Sequence, residues 1–120
     1  MLEREEMNKL ILTSESNLIR EKLSIATEEN RFGLLVLLMA AGKPLSYTHL
    51  KNATHLNPSS LTLHLKKLIQ AGLVERIEKN PWRRGEERVH YKLTEEGKKI
   101  LNTIGIGKAE KHLKEWFKEA

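Results

Sequence analysis

The 120-residue chain contains no cysteine, only six aromatic residues and no long apolar run. Without cysteine it can form no disulfide, bind no metal through a thiolate and use no cysteine nucleophile. The longest uncharged apolar block, Phe32 to Ala41, has about half of the ~20 residues that a membrane-spanning helix requires, so it predicts a buried helix. Residues 1–8 are rich in charge and predict no export signal. These absences favour a cytoplasmic protein with no membrane partner.

The usual signatures of enzymes and metal proteins are also missing. The sequence shows no glycine-rich phosphate loop, no nucleophile elbow and no paired carboxylates in an apolar setting. The run Gly105-Ile106-Gly107 lacks the preceding strand that dinucleotide binding requires. The five histidines form no i, i+4 pair on one helix, whereas zinc needs three or four converging ligands. We therefore predict no enzymatic activity, no metal and no cofactor.

The positive charge is concentrated in one part of the chain. The net charge is +5, and residues 58–94 contain eight lysines and arginines against four aspartates and glutamates. A local basic surface attracts phosphates and makes binding depend on salt. A lysine-rich surface that only keeps the protein in solution would give the same count, so charge alone leaves both interpretations open.

The N-terminal half has the apolar spacing of helices. Over residues 3–25 apolar positions recur as on one face of a helix, with Ile11 and Leu18 seven residues apart. Thr27 is predicted to cap a second helix, which contains the apolar block and ends at Gly42. The second helix is expected to lie at the centre of the core.

The capping and helix-breaking residues that follow predict a helix, a tight turn and another helix. Ser46 is expected to cap a short third helix that reaches about Thr54, with Leu50 and Ala53 facing inward. Asn57-Pro58 then begins a fourth helix, because the missing N–H of proline costs nothing in the first turn.

The fourth helix is amphipathic. At 100° per residue one face carries Leu61, Leu65, Leu68 and Ile69. The opposite face carries Ser59, Leu63, Lys66, Lys67 and Gln70, with Ser60 beside them. Small hydroxyls mixed with lysines suit a helix that enters a DNA groove.

A β-hairpin is predicted after this helix. Val89, Tyr91 and Leu93 alternate with polar residues, which is typical of a half-buried strand, and Leu73 to Lys79 is its expected antiparallel partner. The loop between them, Asn80 to Glu87, contains Pro81, Trp82, Arg83, Arg84 and Gly85. Trp82 is expected to pack rather than to remain in water.

The C-terminal part is predicted to contain two helical segments. Thr94, followed by two glutamates, caps the first, and the glycines at 105 and 107 interrupt it. Beyond them a second apolar stripe includes Leu113, Trp116 and Phe117. Because such stripes seldom face water, we expect a homodimer interface built from Leu10, Ile11, Leu18, Leu113, Trp116 and Phe117.

Four consecutive segments carry a resemblance to a known family. They are SSLTLHLKKLIQAGL (residues 59–73), VERIEK, the loop NPWRRGEE and RVHYKLTEEGKKIL. Together they resemble the winged helix-turn-helix transcription regulators of the MarR and ArsR type, over about Arg31 to Leu101. The most specific pieces are HLKKLIQAGLV and YKLTEEG, whose order and spacing agree with that family.

The resemblance implies a mostly α fold with a small antiparallel β-hairpin, which is an α+β winged helix-turn-helix with added terminal helices for dimerisation. Residues 1–26 would be an N-terminal dimerisation helix, 27–101 the winged-helix DNA-binding domain and 102–120 a C-terminal dimerisation helix. Residues 57–70 would form the recognition helix and 80–87 the wing. The implied function is a sequence-specific double-stranded DNA-binding transcription regulator, with repression as the expected mode, that acts as a homodimer on a pseudo-palindromic operator.

The predicted DNA contacts combine this implication with residue chemistry, since hydroxyls and lysines suit bases and phosphates and arginines suit narrow grooves. They are Ser59, Ser60, Thr62, Leu63, His64, Lys66, Lys67, Arg83, Arg84 and Arg88. Two assignments have an alternative. Leu63 either touches a thymine methyl or is an ordinary exposed leucine, and His64 either contacts a phosphate or is a packed imidazole.

Two other functions are weaker. A winged-helix protein–protein interaction module without DNA binding would share the fold, but the wing arginines and the outward lysines argue against it. Single-stranded RNA binding would favour an aromatic cluster, and none is visible. A small-molecule effector near the dimer interface is common in MarR-type regulators, yet no cluster here identifies one. The absence of cysteine excludes the thiolate metal sensing of ArsR-type proteins.

Overall fold

Five helices and three short strands make up the described part of the chain, which is residues 14–79 and 88–106 with Glu115, Phe117 and Lys118 of a computed structural model. They follow in the order α1 (Ser14–Thr27), α2 (Glu29–Ala41), β1 (Leu45–Ser46), α3 (Tyr47–Thr54), α4 (Pro58–Gln70), β2 (Val74–Glu78), β3 (Val89–Leu93) and α5 (Glu95–Thr103). The predicted fold class, mostly helical with a small antiparallel sheet, is confirmed. None of these helices has the length and hydropathy needed to cross a lipid bilayer.

Most of the predicted helix boundaries are confirmed by their caps. Ser46 accepts the backbone N–H of His49, Asn57 accepts that of Ser60, and Thr94 accepts that of Gly97. Gly42 ends α2 in the left-handed conformation at φ 65°. Each such N-cap typically stabilises a helix by about 1 kcal/mol.

One predicted cap was wrong by a residue. Thr27 is still the last residue of α1, and its hydroxyl donates to the carbonyl of Leu23 at 2.7 Å. Glu28 is the extended residue between the helices, and its carboxylate accepts the backbone N–H of Arg31 at 3.0 Å. The longer side chain of Glu28 reaches the first turn of α2 because the hydroxyl of Thr27 is already engaged in α1.

The inward face of α3 was also partly mispredicted. Leu50 is fully buried as expected, but Ala53 is exposed. Ala53 lies at the rim of an open groove between α2 and α3, where the short helix does not close against its neighbour.

The predicted hairpin is present and gains a third strand. β2 and β3 pair antiparallel, with Val74 opposite Leu93 and Glu78 opposite Val89. β1 joins the other edge of β3, giving the order β1-β3-β2. With two residues, β1 is too short to show the alternation by which a strand is recognised in sequence.

The core is built mainly from leucines, with α2 in the middle as predicted. The largest fully buried side chains are Leu34, Leu35, Leu50, Leu61, Leu65, Leu68, Leu73 and Leu101. They come from α2, α3, α4, α5 and the turn before β2, so α4, which carries most of the predicted DNA contacts, is anchored in the same core as the other helices. Truncating one such leucine to alanine typically costs about 2–5 kcal/mol.

The turn after α4 fixes that helix to the hairpin. Gly72 has φ 77°, and the backbone N–H of Leu73 donates to the carbonyl of Leu68. Thr94 then holds the turn from the far end of β3, because its hydroxyl donates to the Gly72 carbonyl and its N–H to the Leu73 carbonyl. These hydrogen bonds tie the C-terminal end of α4 to the base of the hairpin.

Candidate nucleic-acid interface

The helix–turn–helix unit is formed by α3, a turn at residues 55–57, and α4. His55 ends α3 in the left-handed conformation at φ 57°, and its N–H donates to the carbonyl of Lys51. Tyr47 crosses the turn: its hydroxyl donates to the Pro58 carbonyl at 3.1 Å and lies 3.2 Å from the Thr62 hydroxyl. These contacts set the angle at which α4 leaves the turn.

The two faces of α4 divide as predicted. Leu61, Leu65 and Leu68 are buried, and Leu63 on the other side has 49% of its surface exposed. The exposed residues on the outer side are Ser59, Thr62, Leu63, Lys66, Lys67 and Gln70, and Ser60 is half-buried. The outer side thus presents hydroxyls, two cations and the apolar side chain of Leu63 to solvent.

His64 takes the packed alternative. Only 13% of its side chain is exposed, and its Nδ1 lies 3.1 Å from the guanidinium of Arg31. The ring is directed toward the start of α2 and away from the outer side of α4.

The hairpin places a second basic element beside this unit. The N–H of Lys79 donates to the carbonyl of Arg88, so the two strands are joined as far as the residues that flank the loop. The side chain of Arg88 is exposed, as are Lys79 and Lys92. Arg83 and Arg84 lie outside the described residues.

An exposed ion pair occupies part of β2. Arg76 donates to Glu78 at 2.7 Å, and this hydrogen bond lowers the pKa of Glu78 and raises the pKa of Arg76. Because both groups are at the surface, the pair contributes little to stability. It does keep Arg76 engaged within its own strand.

The predicted dimerisation residues are only partly described. Leu18 and its neighbour Ile19 are exposed on α1, at 53% and 58% of their surface. Phe117 is half-buried and stacks on His49 of α3 in the same chain, with ring centroids 5.7 Å apart and planes 16° from parallel. Leu10, Ile11, Leu113 and Trp116 lie outside the described residues.

Among the described residues no group of three or more histidine, aspartate or glutamate side chains is close enough to hold a metal ion. The described residues line at least two open cavities. One, of about 440 Å³, lies between α2 and α3 with an apolar lining that includes Phe32, Val36, Leu37 and Leu56. The other, of about 640 Å³, lies between α1 and α4 and has a mixed lining that includes Lys22, Arg31, Lys67 and Glu96.

Two structural residues of the site were not singled out from the sequence. Tyr47 and Arg31 each contact α4 through atoms that are far away in sequence, 15 residues to Thr62 and 33 residues to His64. A polar residue at the edge of a helix carries no local sign of such a partner. Their positions become significant only once α3 and α2 are packed on α4.

The fold is shared with solved structures. The chain is similar to a protein with a GntR superfamily winged-helix-turn-helix domain from Halomicrobium mukohataei, with a TM-score of 0.77 and 17% identity, covering 90% of this chain and 78% of that one. HlyU from Vibrio cholerae matches with a TM-score of 0.61 and 26% identity, covering 78% of this chain and 94% of that one. The transcriptional repressor BigR from Xylella fastidiosa matches with a TM-score of 0.59 and 24% identity, covering 88% and 96% of the two chains.

No curated protein matches the chain in sequence. The sequence of residues 30–104 does match a family of winged helix DNA-binding domains. That segment runs from the start of α2 to the end of α5 and contains the helix–turn–helix unit, both strands of the hairpin and the cap at Thr94. Since it makes up more than half of the chain, this protein belongs to the winged helix DNA-binding domain family.

Proposed function

We propose that the protein is a homodimeric transcription regulator of the MarR/ArsR type, in which α4 is the recognition helix and enters the major groove of double-stranded DNA. The observation that supports this most directly is the exposed side of α4, with Ser59, Thr62, Leu63, Lys66 and Lys67, on a helix whose other side is buried. A helix of this kind in the second position of a helix–turn–helix unit is the usual reader of base edges.

Each contact has a chemical role in the proposal. Lys66 and Lys67 pair with phosphates, whereas Ser59, Ser60 and Thr62 donate to phosphates or base edges. The Leu63 side chain packs on a thymine methyl. In the hairpin, Arg88 together with Arg83 and Arg84 reaches the adjacent backbone or minor groove, where the flat, weakly hydrated guanidinium is well suited.

The dimer is proposed from the exposed apolar surface of α1. Leu18 and Ile19 leave more than half of their surface uncovered, which is unusual for two adjacent residues of a monomer. With Leu10, Ile11, Leu113, Trp116 and Phe117 they would form a two-fold interface. Two recognition helices would then bind half-sites about 34–36 Å apart, one turn of DNA.

Repression is the mode that we propose, because a regulator bound across a promoter blocks it sterically. The solved relative BigR is a transcriptional repressor, which agrees with this mode. Genomic footprinting of bound sites would give the operator sequence and the half-site spacing together.

DNA binding is tested by fluorescence anisotropy with a mixed-sequence duplex of about 30 base pairs, long enough for two half-sites. We expect the affinity to fall at least about tenfold between about 50 mM and 200 mM salt, because several phosphates are neutralised. The double variant Lys66→Ala, Lys67→Ala should lose much of this dependence. An association that is absent at low salt, or independent of salt, would favour the protein–protein interaction module instead.

A further inference from the structure

The inner side of α4 is attached to the rest of the domain by a polar cluster at the junction of three helices. Arg31, in the first turn of α2, has 11% of its side chain exposed. One terminal nitrogen of its guanidinium lies 3.1 Å from Nδ1 of His64 on α4, and its Nε donates to the carbonyl of Ile25 on α1 at 2.7 Å. A single side chain thus connects α1, α2 and α4.

The chemistry of Arg31 determines the protonation of the ring that it faces. A guanidinium has only donors, so the His64 nitrogen at 3.1 Å must accept the hydrogen bond and carries no proton. The ring is therefore neutral in this arrangement, with its proton on Nε2. A protonated ring would place two donors and two positive charges against each other.

We propose that Arg31 and His64 form a positioning pair for the recognition helix, in which neutral His64 accepts from Arg31 and so holds α4 at a fixed angle to α1. The role of the pair in DNA binding rests on the proposed function. Neither residue needs to touch DNA: the pair acts through the placement of Ser59, Leu63 and Lys67 on the outer side of the same helix.

The fork of Arg31 makes the coupling directional. Its two donors point to a ring on α4 and to the C-terminal turn of α1, the helix that carries the exposed Leu18 and Ile19. A shift of α1 on dimer formation would therefore be transmitted to α4 through the rigid, planar guanidinium of Arg31. Lysine, with one ammonium on a flexible stem, cannot reproduce two donors in a fixed geometry.

Glu28 offers the ring an alternative partner. Its carboxylate oxygen lies 3.7 Å from the same Nδ1 and also accepts the backbone N–H of Arg31 at 3.0 Å. On protonation His64 would leave Arg31 and turn to Glu28. That exchange changes the contact between α4 and the start of α2, and histidine is the side chain whose charge changes between about pH 5 and 8.

The other charged groups around the ring do not substitute for these two. From α1, Glu21 and Lys22 line the cavity that Arg31 and Lys67 also line, and Lys22 is paired with Glu96 of α5. On α4 itself, Lys67 is exposed. On β2, Arg76 is paired with Glu78 of the same strand. A positive charge on His64 would therefore interact mainly with Arg31 and Glu28.

The DNA measurement compares the full chain with His64→Gln, whose side-chain oxygen can accept from Arg31 but does not titrate. Affinity for the mixed-sequence duplex is measured at constant salt at about pH 8 and pH 5.5, on either side of histidine titration. We expect the ratio of H64Q affinity to wild-type affinity to rise about fivefold from the higher to the lower pH. Superimposable pH profiles would overturn the proposal.

Two further variants separate positioning from general effects. Arg31→Lys should weaken duplex binding about fivefold at about pH 8, and it should lack the pH dependence that distinguishes the wild type from H64Q. A cooperative melting transition would show that the R31K chain is folded. His55→Asn removes an exposed histidine from the turn of the same helix–turn–helix unit and keeps a residue that tolerates positive φ. It should leave the wild-type profile unchanged, and a change as large as that in H64Q would overturn the assignment to His64.

A measurement without DNA tests the Arg31–His64 pair independently of the proposed function. In the free protein at about pH 8, ¹⁵N NMR of the imidazole should show His64 with its proton on Nε2, and the amide signals of Thr62 and Lys66 should shift when the sample is acidified. A proton on Nδ1 of the neutral ring would overturn the pair whatever DNA does. The expected spectrum together with no duplex binding at any pH would overturn the proposed function and support the pair.

Discussion

Lys67 shows what a single residue contributes to the proposed interface. It is exposed on α4, and the cavity that it lines separates α4 from α1, so its ammonium is available to a phosphate. A point charge on a flexible stem contacts phosphate without reading sequence, in contrast to Leu63, whose apolar surface distinguishes a thymine methyl from other groups. Affinity and specificity are therefore expected to reside in different residues of the same helix.

Replacing Lys67 by alanine should weaken binding to all duplexes by a similar factor and reduce the slope of log affinity against log salt by about one unit. The measurement is an anisotropy titration at several salt concentrations. Lys99→Ala on α5 is a matched control, because it removes an exposed lysine that is not among the predicted contacts. An unchanged slope in K67A would exclude this lysine from the interface.

Glu28 provides a prediction about acid stability. The backbone N–H of Arg31, donated to its carboxylate, lowers the pKa of Glu28 below its ordinary value of 4.5. Since the pKa is lower in the folded than in the unfolded chain, the stabilisation is complete above about pH 4.5 and is lost as the pH falls through the folded value.

We expect Glu28→Gln to unfold at lower urea concentration than the wild type at neutral pH and to differ from it less at about pH 3, because the stabilisation declines once the pH lies below the unfolded pKa of 4.5. Glu29→Gln, one residue further along, is the control and should leave the difference between the two pH values unchanged. Equal destabilisation by E28Q at both pH values would show that shape, and not charge, matters at this cap.

At the scale of elements, the domain is organised by the junction between the end of α4 and the start of α5. Gly97 in α5 packs directly on the turn after α4: a Cβ added there would lie 2.4 Å from the carbonyl oxygen of Leu73. Gly33 in α2 is different, because an added Cβ would meet nothing within 4 Å. Close packing therefore requires glycine at position 97, whereas no close contact requires it at position 33.

Gly97→Ala should destabilise the domain by about 1–3 kcal/mol, because the methyl group must push α5 away from backbone that cannot yield easily. Gly33→Ala should stabilise it by about 0.5–1 kcal/mol through helix propensity alone. Urea unfolding of both variants tests this directly. If the free energy of unfolding of G97A equals that of the wild type, α5 shifts without cost and the junction does not fix α4.

At the scale of the whole molecule, α1 presents an apolar surface that the other described residues leave uncovered. Leu18 and Ile19 form this surface, and Arg31 links the end of α1 to α4. In the proposed dimer, Arg31 therefore links the subunit interface on α1 to the DNA-contacting helix α4 of the same protomer.

Leu18→Asp should shift the protein toward the monomer, because a charge at the centre of a two-fold interface meets its own copy. Sedimentation equilibrium measures the change in association, and duplex affinity should fall with it. Ser24→Asp places the same charge on an exposed position about 140° around α1 from Ile19 at 100° per residue, so it should leave the dimer intact. If L18D sediments as the wild type does, the proposed interface is not at this surface.

Much of the fold could be predicted from local signals. The caps at Ser46, Asn57 and Thr94, the left-handed Gly42 and the alternation in β3 each depend on a few neighbouring residues, and all were recognised. The division of α4 into a leucine side and a hydroxyl and lysine side also follows from periodicity, because a helix with that pattern can bury only one face.

The remainder was decided by tertiary packing. The edge strand β1 exists because Leu45 and Ser46 meet Tyr91 and His90, and the exposure of Ala53 follows from a groove that α2 and α3 leave open. Helical periodicity could not decide whether His64 contacts a phosphate or is packed, because the ring has the same position on the helix in both alternatives. Its placement depends on Arg31, which is 33 residues away in sequence. Patterns along the chain therefore determined which elements form and which face of each is apolar. Packing in three dimensions determined which polar side chains hold those elements together, because the energy of a hydrogen bond depends on a partner that sequence distance does not reveal.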